Sequence, residues 1–290
     1  MKLVFLHGGG SSSLTYYYQL RHFRNSKAID LPGHSTGKAC HDIDSYLEWV
    51  RGFITARRYK DVVLCGHAMG GAITLLYALR YPEELKGIIL MGTGARLHVH
   101  PDYLDRCREP GPNNSDWLAG YMKSFKHVSP DMHPVLSQRA VELGPEVQLN
   151  DLLACDQFDV TGQLEQIYLP TQILWGSEDK VTPVKYADYL NRTHAKCPGN
   201  CDSGRYSFRP DGRIQEGQRR DWTFHGEPEI TGLTPMRKPG LISGRIIPTT
   251  VVEHQRCAGL VPAHFFYQTN VDRVVPIYVG AQHLTTKKHH

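Results

Sequence analysis

The sequence predicts an α/β protein with a mostly parallel sheet flanked by helices. Short, nearly continuous apolar segments alternate with longer segments whose apolar residues recur at helical spacing. Strands of this composition are typical of parallel sheets that helices cover on both faces. A second observation is a strand that enters a helix through a tight Gly-x-x-x-Gly turn, within residues 61–80. A chain of 290 residues is long enough to bury a large core around such a sheet.

The first predicted strand, residues 2–6, ends in a loop of small residues. This loop, at 7–13, has the sequence His-Gly-Gly-Gly-Ser-Ser-Ser, and its backbone amides are free to face a ligand. The alternative is a glycine-rich turn that only connects two elements. A phosphate-binding loop is disfavoured, because no Gly-Lys-Ser/Thr sequence follows.

Three more elements precede the tight turn. They are a helix at 14–23, a strand at 28–29 and a helix at 43–56. His34 lies in a Pro-Gly turn after the second strand, and we predict a structural hydrogen-bonding role for it. Asp42 and Asp44 are both candidates for the N-cap of the helix that follows.

The turn at 66–70 places strict demands on the backbone. A strand that turns so tightly into a helix forces one residue, here Ala68, into a strained conformation. Gly66 and Gly70, two residues away on either side, let strand and helix approach without a Cβ clash.

The pattern changes after a buried strand at 85–94. Helical segments joined by Pro-, Gly- and Asn-rich turns are predicted at 103–108, 116–126, 134–143 and 149–156. Some large side chains there fit either a pocket wall or ordinary core packing: Trp117, Tyr121, Met122, Phe125 and Phe158. A strand then resumes at 170–175, and a helix is predicted at 184–191.

Several motifs together resemble the esterases and lipases of the α/β-hydrolase superfamily. Gly66-His67-Ala68-Met69-Gly70-Gly71 is similar to the Gly-His-Ser-Met-Gly-Gly elbow of that family. His-Gly-Gly at 7–9 follows the first strand, Asp-Leu-Pro-Gly-His-Ser at 30–35 the second, and Gly-Ser-Glu-Asp at 176–179 a later one. These motifs occur in the order that the family uses, and the resemblance covers about residues 1–193.

The resemblance implies roles for individual residues. Ala68 occupies the position of the nucleophilic serine, and the backbone N–H groups of Gly9 and Met69 would form the oxyanion hole. Asp179 would orient the catalytic histidine, with Glu178 as the weaker candidate. A carboxylate that only caps the next helix is the alternative. The other motif residues are His7, Gly8, Gly66, His67 and Gly70.

The resemblance also implies the domain organisation. Residues 1–94 and 167–193 would form the α/β-hydrolase core, and residues 95–166 a helical cap that sets substrate size and excludes water. Residues 194–290 form an atypical tail, since 194–250 are rich in Arg, Gly and Pro and lack strand or helix periodicity. The histidine that the family keeps shortly after Asp179 is absent.

Two hypotheses account for the tail. In the first, it is translated out of frame from near Thr193 and is poorly ordered. Read one base forward, the degenerate codons of residues 206–208 permit Thr-His-Phe or Ile-His-Phe, followed by a helix. In the second, the tail is a genuine extension. Cys197 and Cys201 would then be weak candidates for metal or redox ligands, because no second pair accompanies them.

If the tail is genuine, one histidine has a suitable setting. His283 follows an apolar strand-like segment that ends in Gly-x-x-His, which resembles the histidine-bearing strand end of the family. We take it as the candidate general base. Three other tail histidines rank below it: His225, His254 and His264.

Composition and charge narrow the remaining options. A net charge of +4 is mild, and much of the arginine lies beyond residue 200, which disfavours nucleic-acid binding by the whole chain. No apolar segment is long enough to span a membrane, and the apolar start is too short for a signal peptide. Seven cysteines without regular spacing favour a reducing compartment, so we predict a cytoplasmic protein.

The function expected from these observations is hydrolysis of small carboxylic esters by a Ser-His-Asp mechanism. The chain itself would be inactive because Ala68 replaces the serine, and Cys65 lies too far back on the strand to substitute. The alternatives are a non-catalytic ligand-binding protein, a C–C or lactone hydrolase on the same scaffold, and a basic-tailed protein that binds an anionic polymer. We expect a small ester-like substrate, with no cofactor, metal, nucleic acid or membrane as a partner.

Overall fold

A computed structural model describes residues 1–125, 128–176 and 179–194, together with the backbone of four short strands in the C-terminal third. The chain divides into two units. The first comprises Met1–Gly217 and Gly259–His290 and includes every described residue. The second, Gln218–Ala258, lies outside the described residues.

Seven strands form the main sheet. They are β1 (Lys2–Leu6), β2 (Ser26–Ile29), β3 (Val62–His67), β4 (Leu85–Met91), β5 (Thr171–Leu174), β6 (Gly204–Phe208) and β7 (Ile214–Glu216). Their order is β2-β1-β3-β4-β5-β6-β7, and every neighbouring pair is parallel except the antiparallel pair β6 and β7. Two further strands, β8 (Leu260–Val261) and β9 (Ile277–Tyr278), pair antiparallel in a sheet of their own. The main sheet therefore continues beyond residue 193, through β6.

Seven α-helices are described. They are α1 (Tyr17–His22), α2 (Ile43–Ala56), α3 (Met69–Arg80), α4 (Pro101–Arg108), α5 (Ser115–Met122), α6 (His133–Asp156) and α7 (Val184–His194). Asp42 is the N-cap of α2, because its Oδ1 accepts a hydrogen bond from the Ser45 N–H at 2.6 Å. No helix in the described ranges is both long and apolar enough to cross a bilayer.

The segment between β4 and β5 contains α4, α5 and α6, which we call the helical insertion. The sequence predicts two separate helices at 134–143 and 149–156, but both lie within α6. Gly144, with φ +78° and ψ 167°, interrupts the helical backbone just before Pro145. A glycine followed by proline is a strong break signal in the sequence, and here the chain resumes the helix directly after it.

Alternate residues of each strand face opposite sides of the sheet. Val4, Leu6, Val62 and Leu64 pack in a core cluster with residues of α2 and α3. Leu3, Phe5, Val63 and Cys65 pack in a second cluster with Tyr16. Both faces of the central strands are therefore buried, which explains their continuous apolar runs and confirms the predicted parallel sheet flanked by helices.

Candidate active site

The strained turn lies between β3 and α3, and Ala68 is its central residue. Ala68 has φ +48° and ψ −113°, a conformation that alanine rarely adopts. Its N–H donates to the Met91 carbonyl at 3.1 Å, and its carbonyl accepts from the Thr93 hydroxyl at 2.8 Å. These bonds to the last residue of β4 and to Thr93 shortly after it hold the turn in place.

Gly66 and Gly70 permit the close approach that the turn requires. A Cβ on Gly66 would lie 2.1 Å from the carbonyl oxygen of Gly70. A Cβ on Gly70 would lie 2.2 Å from the carbonyl oxygen of Leu6, at the end of β1. Both neighbours are backbone atoms, so only glycine fits at either position.

The glycine-rich loop at 7–13 lies against this turn. A Cβ on Gly8 would lie 3.3 Å from the Ala68 Cβ and 3.1 Å from the His67 Nδ1. The structure therefore brings together the two segments that the resemblance assigns to the oxyanion hole. In the described part of the chain, neither the Gly9 nor the Met69 N–H donates a hydrogen bond to another residue.

His7 sets the orientation of the peptide group that carries the Gly9 N–H. Its Nε2 accepts from the Leu31 N–H at 3.1 Å, so its proton resides on Nδ1, which donates to the Gly8 carbonyl at 2.9 Å. The Ser11 N–H donates to the same carbonyl at 3.2 Å. Since the Gly8 carbonyl and the Gly9 N–H belong to one planar peptide unit, these two bonds fix the direction of that N–H.

The neutral form of His7 is favoured by its surroundings. Burial, together with the nearby His34 side chain, lowers the pKa of His7 to about 4, although the Gly8 carbonyl, Asp151 and Asp30 oppose the shift. The ring is fully buried, and its centroid lies 4.5 Å from that of His34. At neutral pH the imidazole is therefore uncharged and keeps the single proton that the Gly8 carbonyl accepts.

Asp179 follows β5 and lies near the same edge of the sheet. Its Oδ1 accepts from the N–H groups of Val181 and Thr182, at 2.8 and 2.9 Å, and its Oδ2 accepts from the Thr182 hydroxyl at 2.8 Å. A Cβ on Gly92 would lie 3.4 Å from the Asp179 Oδ2 and 3.6 Å from the His67 Cδ2. Burial lowers the pKa of His67, and the negative charge of Asp179 opposes that shift. The carboxylate is thus close to the strained turn, and its three bonds go to Val181 and Thr182, which precede the first residue of α7.

The sequence did not single out Asp151, a fully buried carboxylate on α6. It accepts hydrogen bonds from the Gly10 N–H and from His34 Nε2, both at 2.7 Å, and from the Tyr46 hydroxyl at 2.7 Å. The only sequence signal was weak, namely a carboxylate amid the apolar residues of the segment predicted as a helix at 149–156. His34 itself is buried, and its second ring nitrogen faces the Pro32 carbonyl at 3.3 Å.

Several residues named from the sequence lie outside the described residues. These are Glu178, Cys197, Cys201, His225, His254, His264 and His283. The role of His283 as a general base therefore stays a prediction.

The sequence is similar to a known protein family and to individual members with described activities. A family model described as "alpha/beta hydrolase fold" matches residues 2–206. The pimeloyl-[acyl-carrier protein] methyl ester esterase of Neisseria meningitidis is 26% identical over 179 residues, which cover 57% of this chain and 69% of that protein. The 2-hydroxy-6-oxo-6-phenylhexa-2,4-dienoate hydrolase of Comamonas testosteroni is 26% identical over 213 residues, 63% of this chain and 73% of that protein.

A solved structure shows the same architecture. The esterase of Exiguobacterium antarcticum superposes with a TM-score of 0.60 at 21% sequence identity, covering 68% of this chain and 81% of that one. At this identity the similarity shows the fold alone. The family match includes β1 to β5, the loop at 7–13, the turn at Ala68 and Asp179. This chain therefore belongs to the α/β-hydrolase fold family.

Proposed function

We propose that this scaffold hydrolyses small carboxylic esters once a serine occupies position 68. The observation that carries the proposal is the backbone of Ala68, which keeps φ +48° and ψ −113° at the start of α3 although alanine gains nothing from that strain. Such a conformation is typical of a nucleophile elbow. The esterase among its relatives supports this choice of chemistry.

Each described residue has a specific part in the proposed reaction. The serine Oγ would attack the ester carbonyl, and a histidine would take its proton and pass it to the leaving alcohol. The N–H groups of Gly9 and Met69 would stabilise the negative charge on the carbonyl oxygen, and the Met69 N–H lies at the positive end of the α3 dipole. The carboxylate of Asp179 would orient the histidine and stabilise its charged form.

The chain with Ala68 cannot form an acyl-enzyme, because a methyl group replaces the hydroxyl. We propose that it is inactive in covalent hydrolysis and retains only the small rate effect of binding and the oxyanion hole. We further propose that the helical insertion acts as a cap over the site. The cysteine pattern of the sequence supports a cytoplasmic location.

The test is the substitution Ala68→Ser, assayed with p-nitrophenyl acetate and butyrate. With His283 as the general base, we expect the rate of hydrolysis to rise by about 10³-fold or more, since serine knock-outs in such triads cost at least that much. Ala72→Ser is the matched control, because it adds the same hydroxyl one turn further along α3, in the buried core. A rise in Ala72→Ser equal to that in Ala68→Ser would contradict the assignment of position 68.

Substitutions of Asp179 and His283 in the Ala68→Ser chain test the roles proposed for these two residues. Asp179→Asn in the Ala68→Ser chain should lower kcat by about 100-fold or more, because the histidine loses the group that orients it. His283→Gln should have an effect of similar size if His283 is the general base. An unchanged rate in His283→Gln would exclude that role.

A second candidate function is ligand binding without catalysis. The observation that favours it is that Ala68 lacks the hydroxyl while the glycine-rich loop and its hydrogen bonds are intact. Saturable binding of a short-chain ester by the Ala68 chain, with no turnover after Ala68→Ser, would support a receptor. The dienoate hydrolase relative makes C–C or lactone cleavage a neighbouring possibility for the same site, and assays with ester, lactone and vinylogous diketone substrates distinguish them.

A further inference from the structure

The helical insertion binds the glycine-rich loop on both sides of Gly10. The Gly10 N–H donates to the Asp151 Oδ2 on α6 at 2.7 Å. The Gly10 carbonyl accepts from the Tyr121 hydroxyl on α5 at 2.9 Å. Two consecutive peptide groups of the loop are therefore held by side chains that lie more than a hundred residues away in the sequence.

The helical insertion also packs closely against the backbone of the glycine-rich loop. Gly10 has φ +64°, and a Cβ there would lie 2.6 Å from the Gln148 Cβ. A Cβ on Gly9 would lie 3.1 Å from the Asp151 Cβ. Glycine at these two positions thus lets α6 pack directly on the loop backbone.

Asp151 is itself held rigidly. Its two carboxylate oxygens accept from three donors on separate parts of the chain: the Gly10 N–H, His34 Nε2 and the Tyr46 hydroxyl. The side chains of Asp151 and His34 are both fully buried, where a carboxylate needs such donors. The two ring nitrogens of His34 face the Asp151 Oδ2 and the Pro32 carbonyl oxygen.

Tyr121 is anchored in a comparable way. Its ring stacks on Trp117 at a centroid distance of 5.6 Å, and Trp117 donates through Nε1 to the Gln148 Oε1 at 2.5 Å. Gln148 and Asp151 are three residues apart on α6 and lie on one face of that helix. The two groups that bind Gly10 therefore belong to one connected set of buried and half-buried side chains.

We propose that Asp151 and Tyr121 are positioning residues. Through Gly10 they hold the glycine-rich loop, which carries the Gly9 N–H of the proposed oxyanion hole, in its working conformation. They fix the peptide groups on either side of Gly10, next to the Gly8–Gly9 peptide that His7 and Ser11 hold from the core. The helical insertion thus adds to the bonds from His7 and Ser11 and keeps the segment next to the Gly9 N–H in place. The effect of this positioning on catalysis rests on the proposed esterase function, whereas the positioning itself does not.

The positioning can be measured in the Ala68 chain without any activity. Tyr121→Phe removes the hydroxyl that binds the Gly10 carbonyl and keeps the ring that stacks on Trp117. We expect amide hydrogen exchange in the peptide covering residues 7–12 to become about fivefold faster or more, because the loop loses one of its two bonds to the insertion. Tyr77→Phe is the matched control, since it removes the buried hydroxyl that donates to Glu84 on another part of the molecule.

The catalytic consequence is measured in the Ala68→Ser background. Tyr121→Phe should lower kcat about tenfold with little change in KM, because a misaligned donor weakens binding of the transition state and not of the substrate. Tyr77→Phe should leave both constants within about twofold.

The two measurements separate the possible failures. If Ala68→Ser gives no turnover, the proposed function fails, and hydrogen exchange still decides whether the insertion positions the loop. Equal exchange at residues 7–12 in Tyr121→Phe and Tyr77→Phe would overturn the positioning role. Faster exchange with an unchanged kcat would overturn the link between the insertion and the oxyanion hole.

Discussion

His7 shows how one buried side chain links the glycine-rich loop to pH. Its pKa of about 4 in the folded protein lies below the ordinary value of 6.5, chiefly because burial penalises the charged ring and His34 adds positive charge nearby. Above about pH 6.5 the ring is neutral in both the folded and the unfolded chain. As the pH falls from 6.5 towards 4, only the unfolded chain binds the proton, so the folded state loses stability.

The substitution His7→Gln tests this assignment. Between pH 7 and pH 5, we expect His7 to account for about 2 kcal/mol of lost unfolding free energy, and His7→Gln should remove that part of the loss. Urea unfolding at the two pH values measures the loss. His22→Gln is the control, because His22 is exposed. Identical pH dependence in all three proteins would show that folding does not lower the pKa of His7.

Ala68 carries backbone strain that glycine would not. A non-glycine residue in this conformation lowers the unfolding free energy by about 1–3 kcal/mol. Glycine removes that strain, but its larger conformational freedom in the unfolded chain offsets part of the gain. Ala68→Gly should therefore raise the unfolding free energy by about 1 kcal/mol. Ala72→Gly, in the regular part of α3, should lower it by about 1 kcal/mol or more. The opposite signs are measured by denaturant unfolding, and a loss of stability in both variants would contradict the strain at position 68.

At the scale of elements, the fit of β1, β3 and α3 depends on Gly70. A methyl group there would meet the carbonyl oxygens of Leu6 and His7, at 2.2 and 2.8 Å, and strand backbone cannot move aside. Gly70→Ala should destabilise the protein by about 2 kcal/mol or more. Gly52→Ala is the control, because a Cβ on this residue of α2 meets nothing within 4 Å and should add about 0.5–1 kcal/mol. A shift in the denaturation midpoint of the same sign in both variants would refute this difference.

The same elements show how far the sequence allowed prediction. The strands and the elbow could be predicted because short-range patterns specify them, and Asp42 was among the predicted N-caps. The contact between Asp151 and Gly10 could not, since it joins residues 141 positions apart and depends on how α6 packs after its break at Gly144. A lone carboxylate in an apolar segment does not indicate which donors it will meet.

At the scale of the whole molecule, the glycine-rich loop is held from both the sheet side and the insertion side. Asp30, after β2, accepts from the Ser13 N–H at 2.7 Å, and His7 binds the Gly8 carbonyl from the end of β1. Asp151 and Tyr121 bind the same loop from the helical insertion. The loop is thus the meeting point of the core and the insertion.

The C-terminal third should contain the last part of the family fold, a strand followed by the catalytic histidine. The family match ends at residue 206, within β6, and β6 pairs in parallel with β5 where the fold places its next strand. The catalytic histidine of the family follows such a strand, yet this sequence has none in the residues directly after it. Both the match and β6 extend beyond Thr193, so a change of frame near that residue stays a prediction from the sequence.

This hypothesis makes a definite prediction about the DNA. Sequencing across codons 185–230 should show that the reading frame one base forward stays open and encodes a histidine near codon 207, followed by a helix-forming segment. A chain translated in that frame, with Ala68→Ser, should then hydrolyse short esters faster than the Ala68→Ser chain with the present tail, because it has a histidine at the family's position. A stop codon before that histidine, or equal rates in the two chains, would show that the present tail is the native one and return His283 to first place as general base.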